Sequence, residues 1–253
     1  MNETLSLLER RKSVRAYEPT PLSREQRDAI IRAALRAPTA GNMMLYSILE
    51  IEDQVLKDRL AVTCDHQPFI AKAPLVLLFL ADYQRWFDFF QHSDVEGLCR
   101  RTGTPFRTPQ EGDLMLAVSD ALIAAQSAVV AAEAQGLGSC YIGDIMENAE
   151  IHRELLKLPE FTFPIAMVCF GVPTEGQRQR PQPPRYPEEL IVFQNAYRHL
   201  APEEFAAMET EQASVSSEAT NAGQRVFLRK YASDFMLEMN RSVRALMKPW
   251  IGR

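Results

Sequence analysis

Two continuous apolar runs, "PLVLLFLAD" at residues 74–82 and "FPIAMVCFGVP" at residues 163–173, most narrowly limit what this chain can become. A strand with one face in water alternates apolar and polar residues, whereas an uninterrupted run bounded by proline or aspartate marks an interior strand covered on both faces. "YSILEI" at 46–51 alternates like a half-buried strand, and "ELIVFQN" at 189–195 is a fourth strand candidate. Helical patterns separate them. Residues 4–11 read as helix, and Ser23 opens the next as an N-cap, with Gln26 completing a capping box ahead of "AIIRAALRA", which ends at Pro38. Residues 53–63, an alanine-rich stretch at 114–135 and "AEIHRELLKLP" follow. Strands separated by helices predict an α/β or α+β layered domain ending near residue 197. From Ala201 onward come a helix, the polar stretch "ASVSSEATNAGQ" and a last helix with an apolar stripe through Phe227, Tyr231, Phe235, Leu237 and Met239. Such an arm has no core of its own and must pack on the main domain or on a second copy.

With 253 residues, 46% of them apolar, the chain can bury a full core. Its net charge of −5 offers no general attraction for nucleic acid or anionic lipid, so neither is an expected partner. Cys64, Cys99, Cys140 and Cys169 are widely spaced, as free thiols are, and a reducing cytoplasm is the expected location. The start has no signal-peptide pattern, and Ser119, Asp120, Gln126, Ser127 and Glu133 interrupt the nearest approach to a membrane span. His66, His92, His152 and His199 lack metal-ligand spacing, so no metal is expected. No nucleophile elbow or Walker loop is present. "GLGSCYIGD" lacks the dinucleotide fingerprint and follows a helix, so Gly136 reads as a helix C-cap. Cys140 has no cation or histidine near it in sequence and reads as core.

One basic constellation stands out in this acidic chain. Arg10, Arg11, Lys12 and Arg15 place four cations in six residues, where a helix gives way to an extended segment. Arg11, Ser13 and Arg15 offer two guanidinium forks and a hydroxyl, suited to a phosphate and an electron-rich ring edge. Far downstream, "QRQRPQPPRYP" supplies Arg178, Arg180 and Arg185.

Five segments in order, "RRKSVRAY", "APTAGNMMLYS", "HQPFIAKAP", "GLGSCYIGD" and "PPRYPEELIVFQNAY", resemble the nitroreductase family of FMN-dependent NAD(P)H oxidoreductases along essentially the whole chain. The long C-terminal arm is similar to that of its oxygen-insensitive NADPH nitroreductases and flavin reductases. The resemblance implies an α+β three-layer sandwich with a central, mostly antiparallel sheet, at residues 1–200, and an arm at 201–253 that packs on a domain-swapped homodimer. It implies that Arg11, Ser13 and Arg185 hold the FMN phosphate and that Arg15 meets the pyrimidine edge. Lys12 stands in the same cofactor-binding run, or solvates the helix end with Arg10. Thr39, Ala40, Gly41 and Asn42 match a loop that meets the flavin of the other subunit. Gln67 matches a glutamine reaching flavin or substrate. Tyr141, Ile142, Gly143 and Asp144 match the segment on one flavin face, with a backbone N–H near Gly143 meeting the ring.

Two departures bear on the site. Relatives often have glutamine followed by Pro-Trp where this chain has Met44, Leu45 and Tyr46, and Pro183 stands where long-armed relatives often carry lysine, leaving Arg178 or Arg180 to supply that charge. The implied reaction is a ping-pong transfer from NADPH or NADH through FMN to a nitroaromatic, quinone, azo or flavin acceptor, with no catalytic side chain beyond electrostatic support from Arg15. Arg225, Arg229 and Lys230 are candidates for reading the NADPH 2′-phosphate, or a solvated helix face. Residues 83–112 form a lid or substrate wall in which Trp86, Phe87, Phe89 and Phe90 stack an acceptor or pack a helix face. An FMN carrier or sensor without turnover, and a specialised flavin dehydrogenase or dehalogenase, stay open as alternatives.

Overall fold

The computed structural model describes residues 2–209 and 218–251. By compactness the chain forms two units, one of Met1–Arg180 with Arg241–Arg253, the other of Pro181–Asn240. The first is built on a sheet of β1 (Tyr46–Glu50), β2 (Leu75–Asp82), β3 (Gly138–Ile142) and β4 (Thr162–Gly171), ordered β1-β2-β4-β3 with every pair antiparallel. Its helices are α1 (Glu3–Arg10), α2 (Arg24–Leu35), α3 (Gln54–Thr63), α4 (Phe69–Lys72), α5 (Gln84–His92), α6 (Val95–Thr102), α7 (Glu111–Glu133), α8 (Ala149–Leu155) and α9 (Glu175–Gln179).

The β2 run is buried along its whole length because each face of the sheet has its own helical cover. Leu75, Leu77 and Phe79 join Ile30 of α2 and Ala121, Ala125 and Ala128 of α7. Val76, Leu78 and Leu80, pointing the other way, join Leu60 of α3 and Ile70 of α4. The result is an α+β three-layer sandwich. α7 is long and apolar enough to cross a membrane by length and composition, yet Ala117, Ala121, Ala124, Ala125, Ala128 and Ala132 are buried, and it packs on α2 and the sheet. A third cluster, around Phe161, Phe163, Leu246 and Trp250, closes one end of the sheet.

Several sequence expectations hold in detail. Ser23 accepts from the Gln26 N–H at 3.2 Å while the Gln26 side chain accepts from the Ser23 N–H at 2.9 Å, so both arms of the capping box form. Asp53 caps α3. α2 stops at Leu35, ahead of Pro38, which disfavours helical backbone at the residue before it.

The fourth strand is a correction. Residues 189–195 make no strand: Glu188–Leu190 is a single 3₁₀ turn, and Ile191 and Val192 are exposed. Pro181, Pro183, Pro184 and Pro187 all precede this stretch, so the chain approaches it without the N–H donors that would start a ladder. The fourth strand is instead β3, whose glycine and serine give it little intrinsic strand preference and whose pairing with β4 decides its state.

In the second unit lie Glu188–Leu190, a 3₁₀ segment Pro202–Met208, α10 (Ala222–Val226) and a π turn, Phe227–Tyr231. α11 is Asp234–Met247. Of the polar stretch at 213–224, residues 213–217 lie outside the described residues.

Candidate functional site

Asn2 caps α1, and after Arg10 the chain leaves the helix and becomes a strap across the sheet edge. Ser13 forms a parallel bridge with Ser139, and the Val14 N–H donates to the Ser139 carbonyl at 2.8 Å. Further along, the Glu18 N–H donates to the Val172 carbonyl at 2.8 Å and the Tyr17 hydroxyl to the Val14 carbonyl at 2.7 Å. The strap lies tight because residue 138 is glycine: a Cβ there would come within 2.5 Å of Val14 Cγ2.

The cations of the run have separate tasks. Lys12 donates to the carbonyls of Arg178, at 2.7 Å, and Arg180. Arg180 returns a bond to the Ser13 carbonyl, and the Arg15 N–H donates to Gln177 Oε1 at 3.1 Å. Lys12 therefore clamps the two segments together. Arg11, Arg15 and Arg180 all bear on one buried point, the Cys140 thiol: burial raises its pKa, while Arg15, Arg11, a Ser13 hydrogen bond and Arg180 pull it down. Sequence spacing hid these cations from Cys140. A strap bearing Arg11, Ser13 and Arg15, bridged to Ser139 of β3 and met by the Arg180 guanidinium at the Ser13 carbonyl, offers cations and a hydroxyl that fit a phosphate-bearing cofactor.

Arg178 faces elsewhere. Its Nε donates to the Pro173 carbonyl at 3.2 Å, and it lines a cavity of about 380 Å³ with Arg10, Lys12 and Glu133. Burial raises the Glu133 carboxyl to about 7 against the opposing pull of Arg11 and Arg10. Glu133 Oε1 and Ser139 Oγ are both buried, and Glu133 lines that cavity.

The Thr39 to Asn42 expectation falls on a tight 3₁₀ turn, Ala40–Asn42, in which Gly41, at φ 56°, and Asn42, at φ 57°, are left-handed. Sequence reasoning missed what holds it. Asp120, buried in the middle of α7, accepts from the Ala40 N–H at 2.9 Å and the Leu45 N–H at 3.0 Å. A polar residue interrupting an alanine-rich helix was the available signal. The Thr39 hydroxyl accepts from the Met44 N–H at 3.2 Å.

Gln67 and Asp144 meet directly, the Gln67 amide donating to Asp144 Oδ2 at 2.9 Å. Ile142 is buried in the core, so only its backbone is available. Tyr141 packs toward α7, with its hydroxyl 3.3 Å from Gln126 Oε1 and its pKa pushed up to about 12 by burial.

Residues 83–112 are largely helical. Trp86 donates to the Met43 carbonyl at 2.7 Å, and Phe87 meets Phe161 edge-on at 5.1 Å, so these two pack. Phe89 is exposed beside Met43, Met44, Arg85 and Trp86 at an open hollow. In the second unit, Arg185 lies outside any helix or strand, Arg225 in α10, and Arg229 and Lys230 in the π turn. Among the described residues no group of three or more metal-type side chains gathers.

Solved structures share this architecture. The chain aligns over all of its length with 99% of Bacillus megaterium NfrA2, at TM-score 0.83 and 27% identity, and over 97% with 98% of the NADPH:FMN oxidoreductase from Vibrio harveyi complexed with NAD+, at TM-score 0.78 and 26% identity. The fold class is thus that of NfrA and flavin oxidoreductase structures. The "Nitroreductase family" model matches residues 8–172, and the chain belongs to that family. It is 33% identical over 79% of its length to an oxygen-insensitive NADPH nitroreductase from Salmonella typhimurium, covering 77% of that protein. It is 32% identical over 78% to an FMN reductase [NAD(P)H] from Bacillus subtilis, covering 75%.

Proposed function

We propose that the chain passes electrons in a ping-pong cycle from a nicotinamide donor to a small-molecule acceptor. It is an FMN-dependent NAD(P)H oxidoreductase, in keeping with its family and with relatives named as NADPH nitroreductase and FMN reductase. The observation that carries the reading is the pinned strap, which carries Arg11, Ser13 and Arg15 along β3 and brings the Arg180 guanidinium to the Ser13 carbonyl.

FMN, when bound, supplies the redox chemistry, taking hydride from the donor and giving electrons to the acceptor in alternate turns. The side chains bind, orient and exclude water. Arg11 and Ser13, with Arg185, hold the phosphate, with Arg180 in the place the missing lysine leaves. Arg15 supports charge at the pyrimidine edge, while Lys12 keeps the strap closed. Gln67 and the Tyr141, Ile142, Gly143 and Asp144 segment line the ring. Thr39, Ala40, Gly41 and Asn42 serve the ring of a second copy. Arg225, Arg229 and Lys230 read the donor phosphate, and residues 201–253 form the arm that packs on the partner. The homodimer is supported by an apolar stripe that α7 leaves exposed, Met115, Leu116, Leu122 and Ile123. A cytoplasmic setting is supported by four free cysteines.

The first test is the visible spectrum of the purified protein, anaerobically, before and after NADPH or NADH. Flavin bands that bleach support the reading, and a colourless protein unable to take up FMN ends it. Arg11→Ala should weaken FMN binding about tenfold to a hundredfold, one charge-assisted bond being lost, as fluorescence titration would show. Replacing Arg225 and Arg229 with alanine should lower the preference for NADPH over NADH about tenfold, and an unchanged ratio removes them from the donor site.

A further inference from the structure

The strap that carries Arg11, Ser13 and Arg15 has a second face. Side chains alternate along extended backbone: Arg11, Ser13 and Arg15 act on the Cys140 thiol, whereas Lys12 and Val14, with Arg10 from the end of α1, line the cavity of about 380 Å³. Its floor is tightly built and its rim is open. A Cβ on Gly138 would come within 2.5 Å of Val14 and 3.0 Å of Pro173, both lining residues, while a Cβ on Gly136 would meet nothing within 4 Å.

What lines this space is a set of hydrogen-bond donors. Lys12 gives two of the three N–H bonds of an ammonium to the carbonyls of Arg178 and Arg180 and keeps one. Arg178 commits Nε to the Pro173 carbonyl, which leaves both terminal nitrogens of its fork. Gln177 turns Oε1 to the Arg15 N–H, so what its amide has left to offer is the NH₂ group. Arg10 adds a second fork. Glu133 is the one carboxyl on the lining among the described residues, and burial raises it to about 7, so on the acid side of neutrality it is a donor too.

We propose that this cavity is a second anion site, on the face of the strap turned away from Arg11, Ser13 and Arg15, and that it takes a small dianionic oxyanion of the sulfate or phosphate class between Arg10, Lys12 and Arg178. Such a ligand only accepts hydrogen bonds, it brings negative charge to three clustered cations, and its oxygens match a guanidinium fork. Its charge opposes ionisation of Glu133, so binding and protonation favour each other and the site releases its anion as pH rises. Glu133 is faced by Arg10 and Arg11 at the end of α1, by Tyr17 further along the strap and by Ser139 of β3, with Lys12 and Arg178 lining the same cavity. Arginine and lysine are cations, and tyrosine and serine neutral, between pH 6 and 8 by ordinary chemistry, so the change of charge in that range falls to Glu133. The inference goes beyond the oxidoreductase reading and does not depend on it.

The test is sulfate binding, because sulfate stays a dianion across this range. Isothermal titration of the FMN-saturated holoenzyme at pH 6, with sodium chloride of equal ionic strength as the blank, should give one saturable site per chain. Arg10→Ala and Arg178→Ala should each weaken it about tenfold, one charge-assisted bond being lost. Arg178→Ala keeps the carbonyl that Lys12 grips, so the clamp stays closed. Wild type should bind about tenfold more weakly at pH 8 than at pH 6 and take up a fraction of a proton on binding at pH 7. Glu133→Gln should bind equally well at both pH values. No saturation beyond the chloride blank, full affinity in either arginine variant, or the wild-type pH dependence persisting in Glu133→Gln overturns the proposal. A protein that takes up no flavin ends the oxidoreductase reading instead, and the arginine variants still decide the anion site, since neither removes Arg11 or Arg15.

Discussion

Neighbouring cations in one run part company once the chain folds. Arg11 and Arg15 pull the pKa of the buried Cys140 thiol, in the middle of β3, downward, whereas Lys12 spends its ammonium on two carbonyls. Glu133 shows the cost of a carboxyl on the far side of the strap. Its ordinary pKa is 4.5 and in the fold it is raised to about 7, so the fold loses stability as pH climbs between those values. Below the lower value the carboxyl is protonated in both states, and above the upper the deficit is constant. Glu133→Gln should therefore be more stable than wild type by about 1 kcal/mol at pH 8, after allowance for solvent screening, and equal to it at pH 4. Urea unfolding at the two pH values checks this. The basic run and its likeness to a family made the strap residues legible in sequence. The tasks of Lys12 and Asp120 were not, because each depends on a carbonyl or N–H brought near only by tertiary contact.

Local patterns located most elements and the structure corrected one exchange between them. A run of Ile, Val and Phe near residue 191 outscores "GSCYI" on any strand scale, yet the ladder takes the second because its backbone meets β4. The glycine reading did better. Gly136, at φ 72°, ends α7 with its N–H on the Glu133 carbonyl at 3.0 Å and the Leu137 N–H on the Ala132 carbonyl at 3.0 Å, a Schellman closure. A Cβ there meets no neighbour, so the cost of Gly136→Ala is conformational alone. It should lower stability by about 1 kcal/mol, read as a reduced denaturant midpoint with an unchanged slope.

For the whole molecule, the exposed apolar stripe of α7 carries a prediction about assembly. Wild type should sediment at twice the 28.7 kDa chain mass, and Leu122→Glu with Ile123→Glu should sediment as single chains with reduced flavin content. The fold class was legible because two doubly covered strands admit few arrangements, whereas a partner surface has no period of its own to read. The strap also has a consequence for synthesis. Its anchors arrive late: Ser139, Val172, Arg178 and Arg180 leave the ribosome long after Lys12 and Ser13, at separations of up to 168 residues. The first residues to emerge must wait for the last third of the domain, so nascent chains halted before residue 180 should expose the strap to protease and capture no flavin.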